Sequence, residues 1–121
     1  MKVSVIMPIF NEAKTLAEVV KRVEAVNIEK EIIAVDDGSI DGSLEILSRI
    51  VNEGRIKLIK HDKNLGKGAA IKTGLKTATG DVVIIQDADL ETDPQDYYEL
   101  VKPIVNGETK AVFGYRIANK P

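Results

Sequence analysis

The 121-residue chain has no cysteine, and histidine occurs once, at position 61. Without thiols there is no disulfide, no thiolate metal site and no cysteine nucleophile. A lone histidine excludes a multi-histidine zinc centre and leaves little imidazole for acid–base chemistry; His61 itself reads as an exposed loop residue. Charge of one sign is also lacking. Seventeen basic residues stand against 19 acidic ones, a net charge of -2, so no global field gathers nucleic acid and none is expected as a partner. No apolar run approaches the ~20 residues needed to span a bilayer. Met1-Lys2-Val3 leads straight into a strand pattern instead of a signal peptide, so a cytoplasmic protein is expected.

What the chain does have is an ordinary globular composition, 44% hydrophobic and 30% charged, and a length that suits one domain, 1–121. Runs at 3–7, 31–35, 82–85 and 110–115 are β-branched and nearly continuous, as in strands covered on both faces. The run at 56–60 alternates and reads as an edge strand. Between them, apolar residues recur at helical spacing: Leu16, Val19, Val20, Val23 and Val26; then Leu44, Leu47, Ile50 and Val51; then Ile71, Leu75 and Ala78; then Tyr97, Leu100, Val101 and Ile104. Asp93-Pro94 reads as the N-cap and first residue of the last helix. The order β-α-β-α-β-α-β-α-β predicts an α/β fold, a three-layer α/β/α sandwich with a mostly parallel central sheet. The strand from Val3 is expected at its centre, flanked by those leading to Asp36 and Asp87.

In such sheets ligands sit outside the carboxyl ends of the strands, and here those ends are chemically loaded. They carry Pro8-Ile9-Phe10-Asn11-Glu12, then Asp36-Asp37-Gly38-Ser39, then Asp87-Ala88-Asp89-Leu90-Glu91. Asp-x-Asp after a strand serves turns and helix caps. It also suits Mg²⁺ or Mn²⁺, which take one or two carboxylates and complete their shell with diphosphate oxygens and water. Acidic groups gathered at one edge repel each other, and a bound cation relieves that repulsion.

Together with Asn64-Leu65-Gly66-Lys67-Gly68-Ala69-Ala70, these motifs resemble the nucleotide-sugar half of a family 2 glycosyltransferase with the GT-A fold. The run Asp87-Ala88-Asp89-Leu90-Glu91-Thr92-Asp93-Pro94 and Gly114-Tyr115-Arg116 are most similar to the dolichol-phosphate mannose synthase and polyprenyl-phosphate glycosyltransferase branch. The resemblance implies that Pro8, Phe10 and Glu12 border the nucleoside of a UDP- or GDP-sugar, that Val35 lies along it, and that Asp37 accepts a hydrogen bond from the base. Uracil and guanine both offer a ring N–H for that bond. Asp87 is implied near the ribose or metal, Ala88 at the metal through its backbone, Asp89 as the main and catalytic metal ligand, and Glu91 as completing the shell. A tyrosine is commoner where Phe10 stands, so only packing on the nucleoside remains there. Arg116 matches a basic position of the lipid-phosphate branch. The implied reaction is inverting sugar transfer, with a lipid phosphate as acceptor.

Several of these residues have simpler uses. Asp36 suits ordering of a loop; Ser39 and Asp41 suit caps of the second helix, and Asn11 and Glu12 the first turn of the first. Gly66-Lys67-Gly68 opens the third helix and offers Lys67 to a phosphate, or is a plain turn. Neither the Walker spacing nor the dinucleotide Gly-x-Gly-x-x-Gly pattern is present. A phosphoacceptor signalling domain would place its acid pair after the first strand, not the second. A nucleotidyltransferase would need a glycine- and arginine-rich loop where Asn11-Glu12-Ala13-Lys14 stands. The acceptor half of the resembled enzymes lies beyond this sequence, so donor binding is expected and turnover by the chain alone is not; membrane attachment would come from segments outside it or from the acceptor.

Overall fold

A computed structural model of the chain describes residues 2–90 and 94. Among the described residues, four strands form one parallel sheet: β1 (Val3–Ile9), β2 (Lys30–Asp36), β3 (Lys57–Lys60) and β4 (Val82–Ile85). Their order is β3-β2-β1-β4, with β1 between β2 and β4 and β3 at the edge, as the hydrophobic pattern predicts. The continuous runs of β1 and β2 lie inside the sheet; Lys57–Lys60, with both ends exposed, lies at one edge, and among the described residues the apolar β4 pairs with β1 alone. The fourth apolar helix pattern, the cap at Asp93 and the run 110–115 fall outside the described residues.

Helices α1 (Leu16–Glu24) and α2 (Ser43–Asn52) cover one face of the sheet, and α3 (Lys67–Thr77) covers the other. Alternation along β1 sorts its side chains. Val3, Val5, Met7 and Ile9 join Leu16, Val19, Val20, Val23, Leu47 and Ile50 in the larger core. Ile6 faces α3, which approaches so closely that a Cβ on Gly74 would lie 2.6 Å from Ile6 Cγ2. The contact face of α3 shares only Ala78, packed against the smaller core, with the expected stripe. Ala70 and Gly74 are buried, whereas Leu75 is exposed among the described residues. Small residues let the helix lie close against the sheet, and bulk at 75 is turned away.

Two loop readings also change. The helix α1 starts at Leu16 with Thr15 as its N-cap, so Asn11 and Glu12 precede its first turn; the Glu12 carbonyl accepts the Leu16 N–H (2.9 Å), and Asn11 takes a left-handed conformation (φ 55°), which Asn tolerates better than most residues. The N-cap position of α2 is Gly42, which has no side chain to cap with, and Asp41 Oδ1 instead accepts the N–H of Ser43, the first residue of the helix (3.0 Å), as expected of a cap. Ser39, the other oxygen of Asp41, and Ser43 receive the backbone N–H groups of Asn11 (3.0 Å), Ala13 (3.0 Å) and Glu12 (2.9 Å), while Ile40 N–H donates to Asn11 Oδ1 (2.9 Å). These bonds clasp the loop after β1 to the loop after β2. At the opposite edge of the sheet, the buried Glu31 carboxylate accepts from Ser4, Lys57 and the Thr79 backbone and hydroxyl.

Candidate functional site

The cleft begins where β4 parts from β1. Their pairing ends at Ile6 with Ile85, followed by one further bond from Gln86 N–H to the Ile6 carbonyl. Ile9 points its carbonyl at β2, accepting from Asp37 N–H. Because backbone groups alternate sides along a strand, the nitrogen of Pro8 faces the β4 side, where pairing has ceased. A proline there forfeits no ladder bond. The gap opens into a cleft of about 410 Å³ at the point where strand order reverses.

Pro8 lines it from β1, Phe10 and Glu12 from the loop that follows, Asp37 from just past β2, Lys67 from the start of α3, and Asp87, Ala88 and Asp89 from beyond β4. Eight of the residues singled out from sequence thus meet in one place. Val35 does not: it is fully buried beneath Ala70 in the smaller core, where a β-branched side chain on an interior strand belongs. Glu91 and Arg116 lie outside the described residues. Asn64, Gly66 and Ala70 also line the cleft. They belong to the 64–70 motif, but nothing in their residue types marked them out individually.

Among the described residues, the electrostatics are those of an acidic pocket with one ammonium, that of Lys67, at its edge. Burial pushes the Glu12 carboxyl above the usual range; the Thr15 hydroxyl partly offsets this, and the charges of Asp89, Asp41 and Asp87 add to it. Lys67 Nζ lies 2.5 Å from Asp87 Oδ1 and stays half-exposed. Leu90, directly after Asp89, holds a left-handed conformation (φ 66°), an uncommon backbone state for a bulky residue and one found at ligand sites. Among the described residues no cluster of three metal-ligating side chains is assembled. Two carboxylates beside a surplus of negative charge do suit a divalent cation whose remaining ligands come from a diphosphate.

Asp37 is buried, and its carboxylate is fully engaged. Oδ1 accepts from His61 Nδ1 (2.7 Å) and Leu65 N–H (2.9 Å), and Oδ2 from Asn64 Nδ2 (3.0 Å) and Gly66 N–H (2.9 Å). Burial raises its pKa, but the bonds from His61, Leu65 and Gly66, with the His61 charge, hold the carboxyl below the usual range. A nucleoside base would have to displace one of these donors to bond Asp37. His61 is no exposed loop residue: its side chain is 10% exposed, enclosed between Asp37 and Thr73. Asp36 orders the loop, accepting from Ser39 N–H (3.2 Å).

A parallel α/β sheet with a cleft outside its carboxyl edge at the switch point defines an α/β ligand-binding domain. Residues 4–121 match Glycosyl transferase family 2, and the chain belongs to that family. It is 36% identical over 114 residues to a dolichol-phosphate mannosyltransferase from Pyrococcus furiosus, a match covering 93% of this chain and 32% of that protein. Among solved structures it is similar to a mannosyltransferase from Pyrobaculum calidifontis in complex with GDP-Man and Mn²⁺ (TM-score 0.71, 29% identity, 79% of this chain and 30% of that one). It is also similar to glucosyl-3-phosphoglycerate synthase from Mycobacterium tuberculosis in complex with Mn²⁺, UDP and glucosyl-3-phosphoglycerate (TM-score 0.72, 29% identity, 88% and 40%). The fold is that of the GT-A glycosyltransferases, and the chain spans about a third of the length of the curated relative.

Proposed function

We propose that this chain is the donor-binding part of an inverting, metal-dependent glycosyltransferase that moves a sugar from a UDP- or GDP-sugar to a polyprenyl phosphate at the cytoplasmic face of a membrane. The observation that carries this reading is the meeting of the Pro8–Phe10–Glu12 loop with Asp87, Ala88 and Asp89 in one cleft, in a member of family 2. Support for the acceptor comes from the mannosyltransferase relative, named for dolichol phosphate. Support for the donor comes from the solved neighbours, of which one holds GDP-Man and another UDP, both with Mn²⁺.

Asp89 and Asp87 would hold Mg²⁺ or Mn²⁺, with Glu91 as a further ligand. When bound, the cation neutralises charge as the nucleoside diphosphate leaves. The chain's own residues do the rest by position. Phe10, 45% exposed on the cleft wall, offers an apolar face to the nucleoside. Lys67, at the start of α3, offers an ammonium to a phosphate oxygen. Arg116 supplies a basic group for the acceptor phosphate, which is already anionic and needs no general base from this chain.

Calorimetric titration with UDP, GDP and ADP, each with Mn²⁺ and again with EDTA, tests the reading. Metal-dependent binding of UDP or GDP in preference to ADP is expected. Binding of neither UDP nor GDP would refute it.

A further inference from the structure

The single histidine has no part in the function proposed above, yet its ring is enclosed and both of its nitrogens are engaged. Nδ1 lies 2.7 Å from Asp37 Oδ1 and Nε2 lies 2.9 Å from Thr73 Oγ1 of α3. Its backbone N–H extends the β2–β3 ladder, donating to the Asp36 carbonyl at 2.8 Å. We propose that His61 is a positioning residue of the donor cleft, acting through Asp37 on the turn at 64–66 that forms one wall. The inference rests on the donor-binding reading of that cleft.

Asp37 can hold the turn only if its carboxylate is rotated to present one oxygen to Leu65 N–H and the other to Gly66 N–H, both at 2.9 Å. A carboxylate turns readily about its last bond, so something must set that rotation. His61 does so from the sheet side, where Nδ1–H is the donor facing a carboxylate. His61 is oriented in turn by Thr73, whose hydroxyl donates to the neutral ring or accepts from the charged one. Both bonds survive in either protonation state. The helix α3 is thereby tied, through one imidazole, to the acid that shapes its own entry turn.

The turn has no slack with which to absorb a change at Asp37. Gly38 (φ 79°) lies so close beneath it that a Cβ there would sit 2.6 Å from Asn64 N and 2.7 Å from the Lys63 carbonyl carbon. Moving the turn therefore moves Asn64, Gly66 and Lys67, all of which line the cleft, whereas His61 does not line it. The residue acts at one remove, as an outer-shell partner orients a ligand-contacting group.

Amide hydrogen exchange on the ligand-free chain, combined with UDP and GDP titration in Mn²⁺, tests this in His61→Phe, His61→Asn and Thr73→Val. Phenylalanine keeps the ring and loses both bonds; protection of the Leu65 and Gly66 amides should fall by about 10- to 100-fold, the loss of one bond to a charged group, with Ile6 and Met7 in β1 unchanged. Nucleotide affinity should fall in parallel. Asparagine retains an N–H toward Asp37 and should restore most of the protection and affinity, and Thr73→Val should lie between. Wild-type protection at Leu65 and Gly66 in His61→Phe overturns the proposal. So does an equal loss at Ile6 and Met7, which would show global destabilisation, or lost protection with unchanged nucleotide affinity. If the wild-type chain binds neither UDP nor GDP, the proposed function fails, and the exchange data alone then decide whether His61 holds the turn.

Discussion

Lys67 Nζ and Asp87 Oδ1 stand 2.5 Å apart, joining the start of α3 to the segment after β4 across the cleft. The ammonium occupies the acid that a cation would claim, and the same ammonium is the one positioned to meet a phosphate. Lys67→Met should therefore move two affinities in opposite directions. Mn²⁺ alone should bind more tightly and the nucleoside diphosphate less tightly. Because Lys67 is half-exposed, each change should be modest, about 0.2–1 kcal/mol. Mn²⁺ titration followed by electron paramagnetic resonance, with and without nucleotide, reads both; two changes of the same sign would contradict the competition.

Asp89 and Asp37 should separate by their dependence on metal. Asp89→Asn is expected to weaken UDP or GDP binding in Mn²⁺ and to leave the residual affinity in EDTA nearly unchanged. Asp37→Ala removes the acceptor of four hydrogen bonds and should weaken binding equally with and without metal. It should also lower stability by about 2–3 kcal/mol through unpaired buried donors. Equal, metal-independent losses at both positions would reduce Asp87-Ala88-Asp89 to a turn.

Acid sensitivity should originate at Glu31, far from the cleft. Burial raises its pKa, but the bonds from Lys57, Ser4 and Thr79 outweigh that and hold the carboxyl well below the usual range. A depressed folded pKa means that its stabilisation is complete above the unfolded value, about 4.3, and is lost as pH falls below it. Glu31→Gln should cost about 2–3 kcal/mol at pH 7 and flatten the decline of stability below about pH 4.3. Urea melts from pH 7 to 3 would show this; an unchanged acid limb would place the sensitivity elsewhere.

Gly74 should tolerate no side chain. A Cβ would meet Ile6 Cγ2 at 2.6 Å, so Gly74→Ala should destabilise by about 1–3 kcal/mol through overpacking, despite alanine's better helix propensity. Gly68, with nothing near its Cβ position, is the control, and Gly68→Ala should be neutral or stabilising in the same thermal melts.

The two carboxylates at 87 and 89, the apolar continuity of 3–7, 31–35 and 82–85, and the alternation at 56–60 are local facts. They were enough to predict strand order, the edge strand and the face on which the cleft opens, because burial on both faces and the pairing of strands leave few arrangements of so short a sheet. The roles of Asp37 and His61 were not legible in this way. A carboxylate looks the same in sequence whether its lone pairs face a ligand or the protein, and a lone histidine in a polar stretch looks exposed until a helix is laid over it. The contact face of α3 escaped for a related reason: periodicity finds large apolar residues, and here Ala70 and Gly74 are buried because they are small. Composition and pattern determined which chemistry gathers at the carboxyl edge; only packing across 24 residues from Asp37 to His61, and 12 more to Thr73, decided which of those groups face the cleft and which hold its wall in place.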